Sequence, residues 1–217
     1  MSNSIQSNTI IPVIFVLDTS TTNNEWMRTM VNNSIQHLLN FHKNNSSFQN
    51  NIYIGILHSD RWITGNQLIP VQELSNIDVS LNRKGSLKDI AETVSQSLTK
   101  ENFFNFDKDF MQPSIVFLTN GESFGMNIYL RSAFNLLWNN EIYRSCQRFI
   151  ISSQGLKNEE VYVNLVHEGT YIDIIDHASV TDELVSDLLT NQWCDTKVDI
   201  EDKYKDAIKI RDIIIAE

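Results

Sequence analysis

The sequence predicts an α/β chain built on a doubly wound, mostly parallel sheet flanked by helices. Three observations carry this. First, the strand-like runs "VIFVLD" (13–18), "IYIGIL" (52–57) and "SIVFLTNG" (114–121) are continuously apolar rather than alternating, as expected of strands covered on both faces. Second, the stretches between them repeat apolar residues at helical spacing. Third, strands and helices alternate, and right-handed crossovers then make neighbouring strands parallel. The 217 residues, 41% of them apolar, fit one domain over 10–193 and a C-terminal extension, 194–217, packed on its core.

Taken in order, the strand at 13–18 is followed by a helix over 24–41, with Met27, Met30, Val31, Ile35, Leu38 and Phe41 on one face. After the strand at 52–57, "RWITGNQLIPVQEL" reads as a hairpin and Ile77 to Leu81 as a short continuation. Residues 87–98 form a helix whose inward face is Leu87, Ile90, Ala91, Val94 and Leu98. Pro113 suits the position just before the strand at 114–121, because it cannot donate to a ladder. One helix is then expected over 127–143, a strand at 148–153, a short helix at 158–166 and a strand at 171–176. A last core helix spans 180–193, capped by Thr181. The tail, charged and then ending in "IIIA", is either a helix on the core or a strand added to a sheet edge.

Composition narrows the function classes. A formal charge of −10, from 17 basic and 27 acidic side chains, argues against nucleic acid, whose backbone must be neutralised by concentrated Lys and Arg. No stretch approaches the roughly 18 apolar residues needed to cross a membrane. Cys146 and Cys194 have no CxxC or Cys/His spacing and read as reduced thiols. "MSNSIQSNTI" lacks the basic and apolar regions of a secretion signal, so a cytosolic protein is expected. The five histidines share no ligand spacing and are expected on the surface or in loops.

The chemistry collects at strand ends. In an open parallel sheet, ligands gather beyond the carboxyl ends of the strands, where strand order reverses. Asp18 ends the first strand and Asn120 the strand "VFLTNG"; Ser20 and Thr22 alternate with Asp18, and Ser86 follows Gly85 ahead of a helix. His58 and Asp60, after the second strand, approach the same rim, and Trp26 and Trp62 would be apolar anchors there. A carboxylate, three hydroxyls and an amide carbonyl are hard oxygen donors, better suited to Mg²⁺ than to Zn²⁺. Simpler roles exist for each residue. Asp18, Ser20 and Thr22 can cap a helix or satisfy loop amides, Ser86 can cap a helix with Asp89, and Asn120-Gly121 is a turn dipeptide.

"DTSTT" at 18–22 after an apolar strand resembles the DxSxS element of the von Willebrand factor A family, the metal-ion-dependent adhesion site. With "QPSIVFLTNGES", the likeness over about 10–192 is to bacterial A-domain proteins of the tellurium-resistance type. The resemblance implies a Rossmann-like A-domain and a metal site of Asp18, Ser20, Thr22, Ser86 and Asn120, with Thr22 replacing a serine and Asn120 an aspartate. It also implies Mg²⁺ or Mn²⁺ as the ion, and as partner another protein presenting an Asp or Glu to it. The loss of a carboxylate at Asn120 weakens cation binding and leaves a bound ion's charge less compensated.

The expected function is therefore a non-enzymatic protein-interaction module that holds an acidic partner residue through a cation, with a metal-free scaffold as the alternative. A haloacid-dehalogenase-like phosphohydrolase is a further one, since "FVLDTST" and "VFLTNG" also resemble its first two motifs. That chemistry needs an acid two residues beyond the nucleophile, where this chain has Ser20. A nucleotide-binding turn is disfavoured because no glycine follows the first strand.

Overall fold

The computed structural model describes residues 9–19, 25–44, 51–58, 61–65, 67–74, 85–99, 110–122, 127–166, 169–176, 183–194 and 197–213. Its elements are β1 (Ile11–Leu17), α1 (Glu25–Asn44), β2 (Ile52–His58), β3 (Arg61–Trp62), β4 (Ile69–Pro70) and a 3₁₀ turn (Val71–Glu73). There follow α2 (Leu87–Ser97), β5 (Ser114–Thr119), α3 (Ile128–Asn139), α4 (Glu141–Ser145), β6 (Gln147–Ser152) and α5 (Glu159–Val166). The chain continues through β7 (Gly169–Ile174), α6 (Leu184–Trp193), α7 (Ile200–Lys203) and β8 (Ile208–Ile213).

Among the described residues, eight strands form one sheet in the order β3-β2-β1-β5-β6-β7-β8, with β4 also paired to β2. The five central strands are parallel. The short strands β3 and β4, and β8 at the opposite edge, are antiparallel. The sheet is thus mixed and mostly parallel, in a Rossmann-like α/β arrangement.

The continuous apolar runs have the cause expected of them: all seven residues of β1 are buried. Val13, Phe15 and Leu17 pack with Met27, Val31 and Leu38 of α1 and with Leu184, Val185 and Leu189 of α6. Ile14 and Val16 face the other layer, with Ile90 and Val94 of α2, Phe134 and Leu137 of α3, and Tyr162 and Leu165 of α5. Burial of this kind contributes about 25 cal/mol per Å² of apolar surface, so both layers stabilise the one sheet.

Several boundaries differ from expectation. Among the described residues "RWITGNQLIPVQEL" does not pair with itself; Trp62 lies opposite Leu57 and Ile69 opposite Ile54, so both of its strands fold back onto β2. The helix expected over 127–143 is two helices broken at Asn140, which is extended at φ −79°, ψ 114°. The Asn140 side-chain Oδ1 accepts from Tyr143 N–H and so caps α4, while its Nδ2 donates to the carbonyls of Ser95 and Leu98, each at 2.9 Å. That side chain spends its hydrogen bonds on closing α4 and pinning the end of α2, which a continuous helix would forbid.

The last core helix begins at Leu184 and its flanking position is Glu183; Thr181 lies outside the described residues, as do 77–81 and most of "ENFFNFDKDF". The tail takes the edge-strand form. Ile200, Tyr204, Ala207 and Ile208 are buried in the core that α1 and α6 share, and β8 runs antiparallel to β7. Two histidines also depart from expectation, because His42 on α1 and His58 at the end of β2 are buried.

Candidate functional site at the strand ends

Strand order reverses between β1 and β5: the chain steps from β1 outward to β2 and later lays β5 on the opposite side of β1. Leu17 is in register with Leu118, and Asp18 N–H donates to Leu118 C=O at 2.9 Å. Asp18 and the Thr119-Asn120 pair therefore leave adjacent strands at the same end. Both Asp18 and Asn120 are almost fully buried, at 3% and 4% exposure.

Around Asp18 a closed group of oxygens forms. The Thr119 hydroxyl donates to Asp18 Oδ2 at 2.7 Å, and the Tyr162 phenol donates to the same oxygen at 3.1 Å. The two hydroxyl oxygens stand 3.0 Å apart. Thr119 Oγ1 also accepts from Gly121 N–H at 2.9 Å, so one hydroxyl ties the carboxylate to the turn after β5. A buried carboxylate costs free energy unless donors surround it, and these hydroxyls supply them.

Asn120 is held by a second group. Its Oδ1 accepts from Trp26 Nε1–H at 2.5 Å and from Ser153 Oγ–H at 2.8 Å. The indole nitrogen can only donate, so the amide must turn its oxygen toward α1 and its nitrogen away. Asn120 thus joins the first turn of α1 to the ends of β5 and β6.

The turn beyond it is equally constrained. Gly121 adopts φ +72°, and a Cβ there would lie 1.7 Å from Gly155 C=O, so only glycine fits. Lys157 N–H then donates to Gly121 C=O at 2.9 Å, locking the turn against the loop after β6.

Of the other expected donors, Ser86 starts α2 as half of a capping box. Its hydroxyl donates to Asp89 Oδ2 at 2.6 Å and accepts from Asp89 N–H at 3.2 Å, while Ser86 N–H donates to Asp89 Oδ2. Ser20, Thr22 and Asp60 lie outside the described residues. Trp26 does reach the rim, through Asn120. Thr119, Tyr162 and Ser153 complete the group, and sequence reasoning assigned none of them a role. Thr119 was visible within "LTNG", whereas Tyr162 sits in "NEEVYVNLV", where its ring looks like one more apolar contact.

Of the five side chains expected to hold Mg²⁺ or Mn²⁺, Asp18, Ser86 and Asn120 are among the described residues. Asp18 brings the one charge, Asn120 turns its carbonyl oxygen to Trp26 and Ser153, and the Ser86 hydroxyl closes a helix cap. An octahedral ion needs six oxygens, with carboxylates prominent among the protein's share. No group of three or more His, Cys, Asp or Glu side chains arranged to hold a metal occurs among the described residues. Nor, among them, is any helix long and apolar enough to cross a membrane.

No family model matches the chain, and no curated protein matches it. Solved structures do. The pilus adhesin SpaC from Lactobacillus rhamnosus GG, in its open conformation, matches 95% of this chain and 31% of its own at 13% identity, with a TM-score of 0.50. A second crystal structure of SpaC gives 95%, 32%, 14% and 0.51. Proximal thread matrix protein 1 from the mussel byssus matches 84% of this chain and 47% of its own at 13% identity, with a TM-score of 0.48.

This chain spans about a third of the adhesin's length. At such identity the likeness is one of fold. The cytosolic expectation is corrected by the same comparison: the fold is shared with a pilus adhesin, so a cytosolic placement is not retained.

Proposed function

We propose that the protein is a non-enzymatic interaction module that binds another protein at the strand-end rim without a cation. The carrying observation is the internal use of the two buried groups there: Asp18 Oδ2 accepts two hydroxyl donors and Asn120 Oδ1 accepts an indole and a hydroxyl donor. Groups so occupied shape a rigid surface. Apolar side chains are exposed on elements that start or stop on the same side of the sheet. Ile128 and Tyr129, 76% and 70% exposed, form the first turn of α3 after the β5 loop, and Ile175, 52% exposed, follows the end of β7. Exposed large apolar groups at one end of a fold are the usual anchors of a protein contact. The fold shared with a pilus adhesin supports the same reading.

A second reading keeps the A-domain likeness in full, with a Mg²⁺ or Mn²⁺ ion held by Asp18, Ser20, Thr22, Ser86 and Asn120 and an acidic partner residue completing it. It is favoured by one observation, the meeting of Asp18 and Asn120 on adjacent strand ends where order reverses. Calorimetric titration of Mg²⁺ and Mn²⁺ into chelator-treated protein separates the two. The metal-free reading expects no binding heat, and partner capture that is indifferent to chelator but lost in Tyr129→Asp. Saturable heat that vanishes in Asp18→Ala would reinstate the cation.

A further inference from the structure

The sheet ends at β8, and among the described residues no strand lies on its outer side. Which backbone groups face outward follows from the register. Ile175 N–H donates to Ala207 C=O at 2.9 Å, so the 175/207 pair is hydrogen-bonded. Bonded pairs alternate in an antiparallel ladder, so Asp173/Lys209 and Tyr171/Arg211 exchange the next bonds. Ile208, Ile210 and Asp212 then turn their peptide groups away from β7. Ile208 N–H is taken by Tyr204 C=O at 3.0 Å, and among the described residues Ile210 and Asp212 are left to offer a donor and an acceptor each along that edge.

The side chains beside that edge carry a charge pattern. Lys209 and Arg211, both exposed, share one face with Tyr171 and Asp173. The Arg211 guanidinium lies 4.5 Å over the ring of Tyr171 on β7 and meets Glu159 at 2.7 Å in an ion pair that is itself half exposed. A groove of about 680 Å³ opens here, and Lys205 adds a third cation to its wall. Of the two acids in the wall, Asp173 is engaged by Gly155 N–H at 2.8 Å, and Glu201 stands on α7. On the opposite face Ile210 is half-buried.

We propose that β8 is an open sheet edge that takes up one further strand, an extended acidic segment of a partner protein. Asp or Glu at every second position lies opposite Lys209 and Arg211, and apolar residues between them continue the face of Ile210. A second copy of this chain does not fit. Pairing β8 with itself about a two-fold axis sets Lys209 against Arg211, or Lys209, Arg211 or Asp212 against its own mate, in each register that uses the outward groups. Like charges directly opposite are unfavourable and are a common device against self-pairing of edges. The same cations that block self-association select an acidic strand, with main-chain bonds giving affinity and alternate side chains specificity. This surface is separate from the strand-end rim and does not depend on it.

The test uses the full chain and a fluorescein-labelled, end-blocked peptide, Thr-Glu-Val-Glu-Val-Glu-Thr, followed by fluorescence anisotropy. Two controls replace the glutamates by lysines, or methylate the backbone nitrogens on one edge and then on the other. The acidic peptide is expected to bind saturably, more weakly at high salt, with the lysine peptide at least roughly tenfold weaker. Methylation of one edge is expected to abolish binding. Lys209→Glu alone, and Lys209→Glu with Arg211→Glu, are expected to weaken the acidic peptide, the double variant by roughly tenfold or more, with circular dichroism unchanged. Tyr129→Asp should leave this binding untouched. Absence of binding, equal binding of acidic and lysine peptides, indifference to methylation of both edges, or a β8-dependent dimer in sedimentation would each overturn the proposal.

Discussion

The Thr119 hydroxyl donates to Asp18 Oδ2 at 2.7 Å across 101 positions of sequence, joining the ends of the two strands between which sheet order reverses. Tyr162 reaches the same oxygen from α5, so the carboxylate depends on two hydroxyls from separate elements. Thr119→Val keeps the shape, removes one donor and leaves Gly121 N–H without its acceptor. It should cost roughly 2–3 kcal/mol in urea unfolding, and Tyr162→Phe about 1–2 kcal/mol. Because both act on one oxygen, the double variant should depart from additivity by more than about 0.5 kcal/mol. Strict additivity would show that the two hydroxyls serve Asp18 independently.

Asn120 gives a separate prediction. Asn120→Ala removes the oxygen that the Trp26 indole N–H and the Ser153 hydroxyl share, at a cost of roughly 2 kcal/mol. Asn120→Asp retains acceptor oxygens for both and should cost less. Trp26→Phe removes one donor and leaves the other, so it should cost about 1 kcal/mol. Unfolding midpoints of the three variants check the order, and an alanine variant as stable as the parent would remove the joining role of Asn120.

How much of this was legible in the sequence depends on how local each cause is. β1 and β5 could be read because burial on both faces writes itself into consecutive residues. Ser86 carried its cap partner three positions on, and the capping box with Asp89 is what forms. The break at Asn140 was not legible, since what holds it are carbonyls of Ser95 and Leu98, 45 and 42 positions away. Tyr162 was hidden for the opposite reason: its ring obeys the helix pattern, and only its phenol oxygen does something else. Asn120 was recognised by position, but the direction of its amide is fixed by Trp26, 94 positions distant.

His42 provides a pH prediction. Its pKa is lowered, first by burial and second by the neighbouring Lys43. In the unfolded chain it titrates near its ordinary 6.5, so below that value the unfolded state binds more protons and stability falls with pH. The contribution is fully present above pH 6.5 and is lost as pH drops through the depressed folded value. Denaturant midpoints measured from pH 7.5 to 5.5 should decline in the parent and decline less in His42→Gln. Identical slopes in the two proteins would exclude His42 as the source.

The two thiols should separate chemically. Burial pushes the Cys146 pKa up to about 12, against a smaller opposite pull from Arg148. Little of the Cys146 thiol is then in the thiolate form that reacts, whereas Cys194 is only partly buried. Ellman's reagent should therefore modify one thiol of the native protein, lost in Cys194→Ser, and two after unfolding. Rapid native modification of Cys146 would contradict its burial.

The strongest single dependence should lie at Arg148, a buried guanidinium that donates to main-chain carbonyls of two helix ends. Its Nε donates to Val166 C=O at 2.8 Å, at the end of α5. Its Nη1 donates to the carbonyls of Tyr143, Arg144 and Cys146 at 2.9, 3.1 and 2.8 Å, around the end of α4. The carboxyl ends of two helices thus share one cation, where the helix dipoles favour positive charge. Trp138 and Tyr143 cover the guanidinium with ring faces at 5.0 and 5.6 Å. Arg148→Met fills the space yet leaves those carbonyls short of a donor, at roughly 3 kcal/mol or more. Arg148→Lys keeps the charge but not the planar fork and should recover only part of the loss. The order parent, lysine, methionine in thermal midpoint is the expected result, and a methionine variant equal to the parent would show that packing alone holds α4 and α5 to β6.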